Sequence, residues 1–366
     1  MKVALVHDYL NEFGGAEQVL LSLSNLFPEA PIYTAFAVPG SSAVKEFSKK
    51  KIVTSWMQYV PFYSRLYSPL RFLIPWVWGG FNFSDYDVVI SSASWYVTKG
   101  FAKEPKPVEI CYCHTPPRWL YGYTTSVDWQ KYWWVRAYGL VVGHFLRMYD
   151  YSCAQKVTYF VANSQNVARR IQKFYRRDAQ IIYPPVTRPE KQIDGEAGEY
   201  YLMVSRIVGG KGIELAIEAA EKNKIPLVIA GERKGYKTID FRDLKYVKYL
   251  GRVDDKRKWE LMAGARAFLG LSKDEDFGIS LVEAGMVGTP VIAFSGGGYK
   301  ESVVHGKTGI LFEEYSVNGL VKAISSFEKM KWNKLTIRKQ AEKFSVERFE
   351  KQMLQLVNKY AGITRD

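Results

Sequence analysis

The chain has 366 residues, of which 47% are hydrophobic and 24% charged, and this balance excludes a disordered protein and allows two domains with a core each. The formal net charge of +14 favours an anionic partner, such as nucleic acid, acidic lipid head groups or a phosphate-bearing substrate. We find no apolar segment long enough to span a bilayer, and the three cysteines fit a reducing cytoplasm better than a disulfide framework.

The first predicted element is a strand at Val3–Val6, followed by a glycine-rich loop and a helix that begins near Ala16. Gly14 and Gly15 lie at this strand-to-helix turn, where backbone N–H groups can approach a ligand without an intervening Cβ. A Gly-Gly pair alone most often marks an ordinary turn. Gly14 and Gly15 are therefore candidate ligand contacts only in combination with the motifs that follow.

Residues 56–83 and 118–151 combine basic side chains with many Trp, Tyr and Phe residues. This composition is typical of a surface that lies against an anionic membrane interface. Nucleic-acid binding uses similar residue types, but the sequence contains no recognition motif for it. A third interpretation, in which most of these aromatic residues form the core and helix contacts, stays open.

A strand at Glu109–Cys113 is followed by His114 and two prolines. His114 therefore projects from a rigid loop at the carboxyl end of a strand, which we expect to line a crevice between domains; His7 is the second histidine candidate. Cys111, Cys113 and His114 resemble a fragment of a metal site. Because no second Cys/His cluster accompanies them, buried cysteines are the favoured interpretation and no metal site is predicted.

The polar stretch Thr187–Glu199 is the predicted linker and one hinge for domain closure. After it, a predicted strand at Tyr200–Val204 leads through a glycine-rich turn to a helix at Ile213–Lys222. Arg206 and Lys211 lie in that turn, and two cations near the start of a helix form a site for a diphosphate.

The most informative stretch is residues 272–294, in which a polar loop, a helix and a strand follow a buried strand. Phe277 and Gly278 lead into the helix that begins near Ile279, whose free N–H groups suit an anion. Glu275 in the loop and Glu283 in the helix can reach the same crevice. Two carboxylates beside an anion site repel phosphate, so they are better suited to sugar hydroxyls.

Residues 275–283, EDFGISLVE, resemble the Glu-x7-Glu signature of retaining nucleotide-sugar glycosyltransferases of family 4, with Asp276 where the family usually has glycine. GGAE at residues 14–17, CHTPPR at 113–118 and VSR-x4-KG at 204–212 resemble further segments of that family. The resemblance implies an α/β chain of the GT-B fold, with two Rossmann-like doubly wound domains facing across a cleft. The expected domains are residues 1–187 and 199–345, with a C-terminal helix at about 346–366 packing back on the first.

The family resemblance also implies roles for individual residues. Arg206 and Lys211 would hold the leaving diphosphate, Glu275 and His114 would contact the transferred sugar, and Glu283 would bind the ribose. The other expected donor contacts are Gly14, Gly15, Val253, Phe277, Gly278 and Ile279. The resemblance implies metal-independent activity without a cofactor, and CHTPPR favours a mannosyltransferase-like branch that uses GDP-mannose while leaving UDP-sugars open.

The acceptor is expected to be a glycan or a lipid-linked glycan of cell-surface polysaccharide synthesis, because the basic, aromatic composition suits the inner face of a membrane. The expected location is the cytoplasm, with peripheral attachment to that face. Two alternatives stay open. A sugar-nucleotide epimerase of the same fold would need no second substrate, and a nucleic-acid-binding protein would explain the charge but not Arg206, Lys211, Glu275 and Glu283 together.

Overall fold

The computed structural model describes residues 1–123, 125, 132–191, 193, 198–233 and 239–362. The described residues form two compact units: unit 1 contains those within 1–123, 132–185 and 346–362, and unit 2 contains residue 125 and those within 186–345. The chain therefore passes between the units at Pro185 and Val186, slightly before the predicted linker Thr187–Glu199. Residues 192 and 194–197 of that linker, and residues 363–366 of the predicted C-terminal helix, lie outside the described residues.

Unit 1 alternates strands and helices, as the apolar runs and capping residues of its sequence predict. Its elements in chain order are β1 Val3–His7, α1 Gly15–Leu26, β2 Ile32–Thr34, α2 Ser42–Glu46, β3 Ile52–Thr54, α3 Tyr63–Leu66, α4 Ile74–Gly79, β4 Val88–Ala93, β5 Val108–Cys113, α5 Trp133–Lys156, β6 Tyr159–Ala162, α6 Gln165–Tyr175 and β7 Ala179–Ile181. Among the described residues, the strands form one parallel sheet in the order β3-β2-β1-β4-β5-β6-β7.

Unit 2 repeats this plan. Its elements are β8 Tyr201–Val204, α7 Ile213–Asn223, β9 Leu227–Ala230, β10 Val247–Tyr249, α8 Asp255–Ala263, β11 Ala267–Gly270, α9 Ile279–Met286, β12 Val291–Phe294, α10 Tyr299–Ser302, β13 Gly309–Phe312, α11 Val317–Glu328 and α12 Lys334–Ala341. The described strands are parallel in the order β10-β9-β8-β11-β12-β13. In both sheets the order reverses beside the first strand, which is the doubly wound arrangement of nucleotide-binding domains.

The C-terminal helix α13, Val346–Ala361, belongs to unit 1 although it follows unit 2 in the chain. Its apolar residues recur at helical spacing and are buried in the same core as β1 and α1: Phe349, Met353, Leu356 and Val357. The Phe349 ring also packs on the Tyr112 ring of β5, with 5.7 Å between the centroids. One amphipathic face therefore attaches this helix to the sheet of unit 1.

Two neighbouring element boundaries in unit 1 matter for the site. Helix α5 continues through Lys156, and β6 begins only at Tyr159. Cys153 and Ala154, near the end of α5, are buried in core clusters of unit 1. Strand β4 begins at Val88 and extends through Ala93, so it includes Ser92, which is paired in register with His7 of β1.

Candidate active site

The polar residues that the sequence singled out in unit 2 follow β8 and β11, which are neighbours in the sheet. The connection after β8 leads to α7, and the connection after β11 leads to α9. In open α/β sheets, ligands bind outside the carboxyl ends of strands at such a reversal of strand order. The topology of unit 2 therefore brings the Arg206–Lys211 turn and the Glu275 loop to one edge of the sheet.

Lys211 and Glu275 are in direct contact at this edge. The Lys211 Nζ atom donates a hydrogen bond of 2.7 Å to Glu275 Oε2, and both side chains are partly exposed. Gly212, which follows Lys211, has a φ of 75°, and a Cβ at this position would lie 2.3 Å from the Leu271 carbonyl oxygen. Only glycine therefore allows the two loops to approach this closely. Arg206 is exposed on the same turn.

The loop that carries Glu275 is supported by the turn after β12. The Gly298 N–H donates to the Glu275 carbonyl oxygen at 2.8 Å, and the Tyr299 hydroxyl lies 3.5 Å from Glu275 Oε2. Tyr299 is buried, and this burial, followed by the charge of Glu275, raises the pKa of its phenol well above the ordinary value. Tyr299 therefore remains a neutral hydrogen-bond donor beside Glu275.

Gly278 has a φ of 95° and precedes α9 without a capping side chain. A Cβ at Gly278 would lie 2.5 Å from the Tyr299 ring, so glycine is required there too. The backbone N–H groups at Ile279 and the following turn are therefore not capped by the side chain of the preceding residue, which is the arrangement that suits an anion.

Two of the expected donor contacts have side chains that belong to the core. Phe277 is buried and packs on the Phe344 ring, with 5.2 Å between the centroids. Val253 is partly buried against a core cluster that includes Trp259. Any contact that Phe277 or Val253 makes with a ligand would therefore involve backbone groups.

Glu283 is buried near the start of α9, and its Oε1 atom accepts a hydrogen bond of 3.0 Å from Lys258 Nζ in α8. Burial lowers the pKa of Lys258, but the charges of Glu283 and then Asp255 outweigh it, so the pKa is raised overall. Lys258 therefore remains a cation that orients the Glu283 carboxylate.

Unit 1 holds a second polar cluster at the reversal point of its sheet. His7 of β1 is paired in register with Ser92 of β4, and His114 follows the next strand, β5. Ser92 Oγ lies 2.9 Å from His7 Nδ1 and 2.8 Å from His114 Nε2. His7 Nε2 in turn lies 3.4 Å from Glu17 Oε1 in α1. A continuous chain of hydrogen bonds therefore connects Glu17 with His114.

The direction of this chain depends on the Glu17 charge. Burial raises the pKa of Glu17, but the hydrogen bond and the charge of His7 outweigh it and hold the pKa below its usual value. The Ser92 hydroxyl has a single hydrogen, so it can donate to only one of the two histidines. The tautomers of His7 and His114 therefore determine whether the other nitrogen of His114, Nδ1, is a donor or an acceptor for a ligand.

His114 itself is buried with 8% of its surface exposed, and burial followed by the charge of His7 lowers its pKa to about 3. It is therefore neutral throughout the physiological range. The sequence predicts that His114 projects from its loop. In the structure its ring is enclosed, and its Nε2 atom is hydrogen-bonded to Ser92 Oγ.

Gly14 and Gly15 are both exposed at the start of α1. The Gly14 N–H donates to Glu17 Oε2 at 2.9 Å, so this donor is already used within the helix start. Gly14 has a φ of −140°, which other residues also adopt. A ligand contact there would therefore have to come from Gly15 and the next N–H groups of α1.

Lowering the pH should destabilise the protein through His114. A histidine whose folded pKa is lowered from 6.5 to about 3 stabilises the folded state fully above pH 6.5, and this contribution is lost as the pH falls towards 3. Between pH 7 and 5 the free energy of unfolding should fall by about 2 kcal/mol more in the wild type than in His114→Gln. Urea unfolding of both proteins at pH 7 and at pH 5 measures this difference in the free energy of unfolding.

The exposed His144 provides the matched control for this experiment, since His144→Gln should follow the wild type. Parallel pH profiles of the wild type and His114→Gln would contradict the neutral, buried state of His114.

Several residues of these clusters were not assigned roles from sequence. Glu17 was visible only as part of GGAE, although a glutamate three residues after the helix N-cap is a known capping pattern. Ser92, Lys258 and Tyr299 carry no local signal at all, because their partners lie on other elements.

Two doubly wound α/β units, each with a polar cluster where its strand order reverses, correspond to the GT-B fold class, and comparison with known proteins agrees with this class. The family model for Glycosyl transferases group 1 matches residues 186–344, and that for Glycosyltransferase Family 4 matches residues 13–188. Together the two matches extend over most of the chain, which belongs to glycosyltransferase family 4.

Named relatives of the chain transfer different sugars. It is 29% identical over 194 residues to a D-rhamnosyltransferase of Pseudomonas aeruginosa, covering 48% of this chain and 49% of the relative. It is 29% identical over 241 residues to an alpha-1,3/1,6-mannosyltransferase of Homo sapiens, covering 54% and 58%. The chain thus spans about half the length of these curated relatives. Sucrose-phosphate synthase from Thermosynechococcus elongatus has the same fold, with a TM-score of 0.72, 15% identity and coverage of 98% and 99%.

Proposed function

We propose that the protein is a retaining transferase that moves mannose from GDP-mannose to a glycan or lipid-linked acceptor in cell-surface polysaccharide synthesis. The contact between Lys211 and Glu275 carries this proposal, because a cation suited to a diphosphate lies beside a carboxylate suited to sugar hydroxyls, at the sheet edge where ligands bind in such folds. Similarity to a mannosyltransferase supports the choice of sugar.

In the proposed reaction, the bond between the anomeric carbon and the diphosphate oxygen breaks, and the acceptor oxygen forms its bond on the same face. The proton of the acceptor hydroxyl moves to the departing phosphate oxygen. Lys211 has three N–H donors and can keep its bond to Glu275 while it donates to the diphosphate. Arg206 and the N–H groups at the start of α9 add to the stabilisation of the leaving charge. Because these groups already supply positive charge, we propose that no metal ion or cofactor is needed.

Glu283 is proposed to bind the ribose hydroxyls of the donor. Its carboxylate is held by Lys258 through one oxygen, Oε1, at 3.0 Å. Lys258 thus compensates the buried negative charge without taking the place of the ribose. The contacts of the base are proposed to come from backbone groups near Val253. In unit 1, His114 and the start of α1 are proposed to contact the sugar substrates.

Calorimetric titration of GDP, UDP, ADP and dTDP in the presence of a chelator tests this proposal. We expect selective binding of GDP by the wild type and at least roughly tenfold weaker binding by Glu283→Ala, because the ribose loses a charged hydrogen-bond acceptor. Glu314→Ala, which removes an exposed carboxylate of the same unit, is the matched control and should bind like the wild type.

Each other outcome of the titration has a defined meaning. Preference for UDP would retain the enzyme class and discard GDP-mannose. Binding that requires added magnesium would discard metal independence. Absence of binding by all four nucleotides would contradict the donor site.

We also place the protein at the inner face of a membrane, as a peripheral protein, and α5 supports this. Exposed apolar residues recur on one side of the helix: Trp133, Leu140, Val141, Phe145 and Met148. Their spacing covers a continuous stripe, which we call the apolar face of α5. Within the part of the chain that the structure describes, no helix combines the length and apolarity that crossing a bilayer requires.

A second exposed set lies in residues 56–76, next to α5. Tyr59 is 83% exposed, Phe62 72% and Trp76 63%. The Tyr138 hydroxyl of α5 donates to the Pro69 carbonyl oxygen, so the two sets are neighbours within unit 1. Residues 55–80 contain arginines but no acidic residue, and the single acidic residue of α5, Asp150, is buried. Aromatic and basic side chains without exposed acids match an anionic lipid surface.

Binding to vesicles should depend on the apolar face of α5. Leu140→Ser combined with Phe145→Ser should weaken binding to vesicles with about a third anionic lipid by roughly tenfold or more, because both side chains lose their burial in the interface. Sedimentation with sucrose-loaded vesicles measures this. The control Leu335→Ser changes an exposed leucine of unit 2 and should have no effect. Equal binding by all variants would exclude α5 as the contact surface.

A further inference from the structure

Arg71 lies in a short 3-10 helix, Pro69–Leu73, and its guanidinium is surrounded by aromatic rings. Its Cζ atom is 4.6 Å from the centroid of the Trp119 ring. Phenols close enough to influence its charge are those of Tyr9, Tyr67, Tyr96 and Tyr138. We call this group, Arg71 with Tyr9, Tyr67, Tyr96 and Trp119, the Arg71 cage.

The guanidinium has no anionic partner in the cage. Its Nε atom is completely buried without a hydrogen-bond partner, and no salt bridge to Arg71 is formed within the described ranges of the chain. Burial lowers the pKa of Arg71, although it stays far above neutral pH as arginine does. A desolvated cation without an acceptor destabilises a fold unless something else binds it. The cage is therefore suited to an anion that comes from outside.

The cage lies at the same edge of the sheet as the His7–Ser92–His114 cluster. Its members follow the carboxyl ends of different strands: Tyr9 follows β1, Arg71 and Tyr67 follow β3, Tyr96 follows β4 and Trp119 follows β5. Both the Arg71 guanidinium and the Glu17 carboxylate are close enough to shift the pKa of Tyr9. The cage therefore adjoins the acceptor side of the proposed active site.

A shallow apolar depression includes Leu73, which lies in the same 3-10 helix as Arg71. The depression is lined by Trp56, Leu73, Pro75, Trp76, Gly79 and Gly80. Its lining carries no charge, whereas Arg71, two residues before Leu73, is a cation. A ligand with a phosphate and a hydrocarbon chain has both complementary parts.

We propose that the Arg71 cage binds the phosphate or diphosphate of a lipid-linked acceptor, with its hydrocarbon chain on the apolar surface of residues 56–80. This assignment rests on the proposed function, since it names the acceptor of that reaction. Arginine suits this role because its planar fork can donate two parallel hydrogen bonds to phosphate oxygens while its face stacks on Trp119.

Calorimetric titration of the full chain with farnesyl diphosphate, inorganic pyrophosphate and farnesol tests the assignment, with GDP present at saturation to occupy the donor site. We expect farnesyl diphosphate to bind, and Arg71→Met to weaken it by roughly tenfold or more, since a charge-assisted hydrogen bond is lost. The affinity of Arg71→Lys for farnesyl diphosphate should lie between those of the wild type and Arg71→Met, because lysine keeps the charge but lacks the planar guanidinium fork. Farnesol should bind weakly and equally to all variants.

Arg65→Met is the matched control, because Arg65 is an exposed arginine of the same segment. Its substitution should leave the affinity for farnesyl diphosphate unchanged. Thermal unfolding separates binding from folding: Arg71→Met should melt at the wild-type temperature or above it, since it removes a cation that forms no salt bridge with the described residues and whose Nε atom is buried without a hydrogen bond. If that variant does not fold, Arg71→Lys supplies the comparison.

Unchanged affinity of Arg71→Met or, failing that, Arg71→Lys for farnesyl diphosphate would overturn the assignment. If pyrophosphate binds as tightly as farnesyl diphosphate and depends equally on Arg71, the proposed contact with a hydrocarbon chain is wrong. The cage would then be a site for free phosphate or pyrophosphate. GDP titration of Arg71→Met without the other probes keeps the two proposals apart. If the proposed donor site is wrong, GDP will not bind in this titration. If only the cage proposal is wrong, GDP binding will remain intact.

Discussion

Glu275→Gln is expected to lower turnover by roughly two orders of magnitude or more while leaving GDP binding close to that of the wild type. The carboxylate accepts a hydrogen bond of 2.7 Å from Lys211, and in the proposed reaction it also accepts hydroxyls of the transferred sugar. The amide keeps the size of the side chain but loses the charge that holds the lysine and polarises the sugar. Steady-state transfer assays and nucleotide calorimetry on the same preparations measure both effects.

The control for Glu275→Gln is Glu314→Gln, which neutralises a carboxylate in a comparable but exposed pair with Lys322, whose atoms are 3.5 Å apart. It should retain full turnover. An equal loss of turnover and GDP affinity in Glu275→Gln would instead indicate a structural role for this residue. Full turnover would remove Glu275 from the site.

Lys211→Met should reduce turnover by roughly two to three orders of magnitude, since in the proposed reaction the leaving diphosphate loses a cation that stabilises its developing charge. The melting temperature should change little, because the pair with Glu275 is partly exposed and pairs of this kind contribute about 1 kcal/mol or less. A methionine side chain preserves the aliphatic packing of lysine. Single-turnover transfer and thermal unfolding distinguish loss of chemistry from loss of fold.

Lys322→Met provides the corresponding control in the exposed pair. Combining Lys211→Met with Glu275→Gln adds a further test. Because the two side chains contact each other, their effects should be far from additive, with the double variant only slightly slower than the slower single variant. Strictly additive effects would show that each residue acts alone, and near-normal turnover of Lys211→Met would remove it from the leaving-group role.

The contact between Lys211 and Glu275 also shows which features of the site local sequence patterns predict and which they do not. Each residue was predicted as part of its own loop, from glycines, cations and carboxylates next to a helix start. Gly212 and Gly278 had to be glycine because two loops and a tyrosine ring approach them closely. The hydrogen bond joins residues 64 positions apart, and it depends on β8 and β11 being neighbours in the sheet. No local pattern encodes that neighbourhood.

The histidine cluster illustrates the same limit. His114 was predicted from its place at the end of a strand, and the buried runs around it predicted the strands themselves. The role of Ser92 follows only from the parallel register that pairs it with His7 and from the placement of β5 beside β4. A shift of one residue would turn the Ser92 side chain to the other face of the sheet and break the chain of hydrogen bonds.

The amino-acid sequence alone was sufficient to predict the alternation of strands and helices, the cations and carboxylates of unit 2, and the aromatic, basic composition of unit 1, whereas the GT-B class was implied by the resemblance to a family. These features are local, because apolar periodicity, glycines and charge act over a few residues. The tertiary structure decided which charges meet: Lys258 with Glu283, Lys211 with Glu275, and Arg71 with aromatic rings in place of a carboxylate. Such pairings depend on strand order and register, which are set by the packing of the whole sheet.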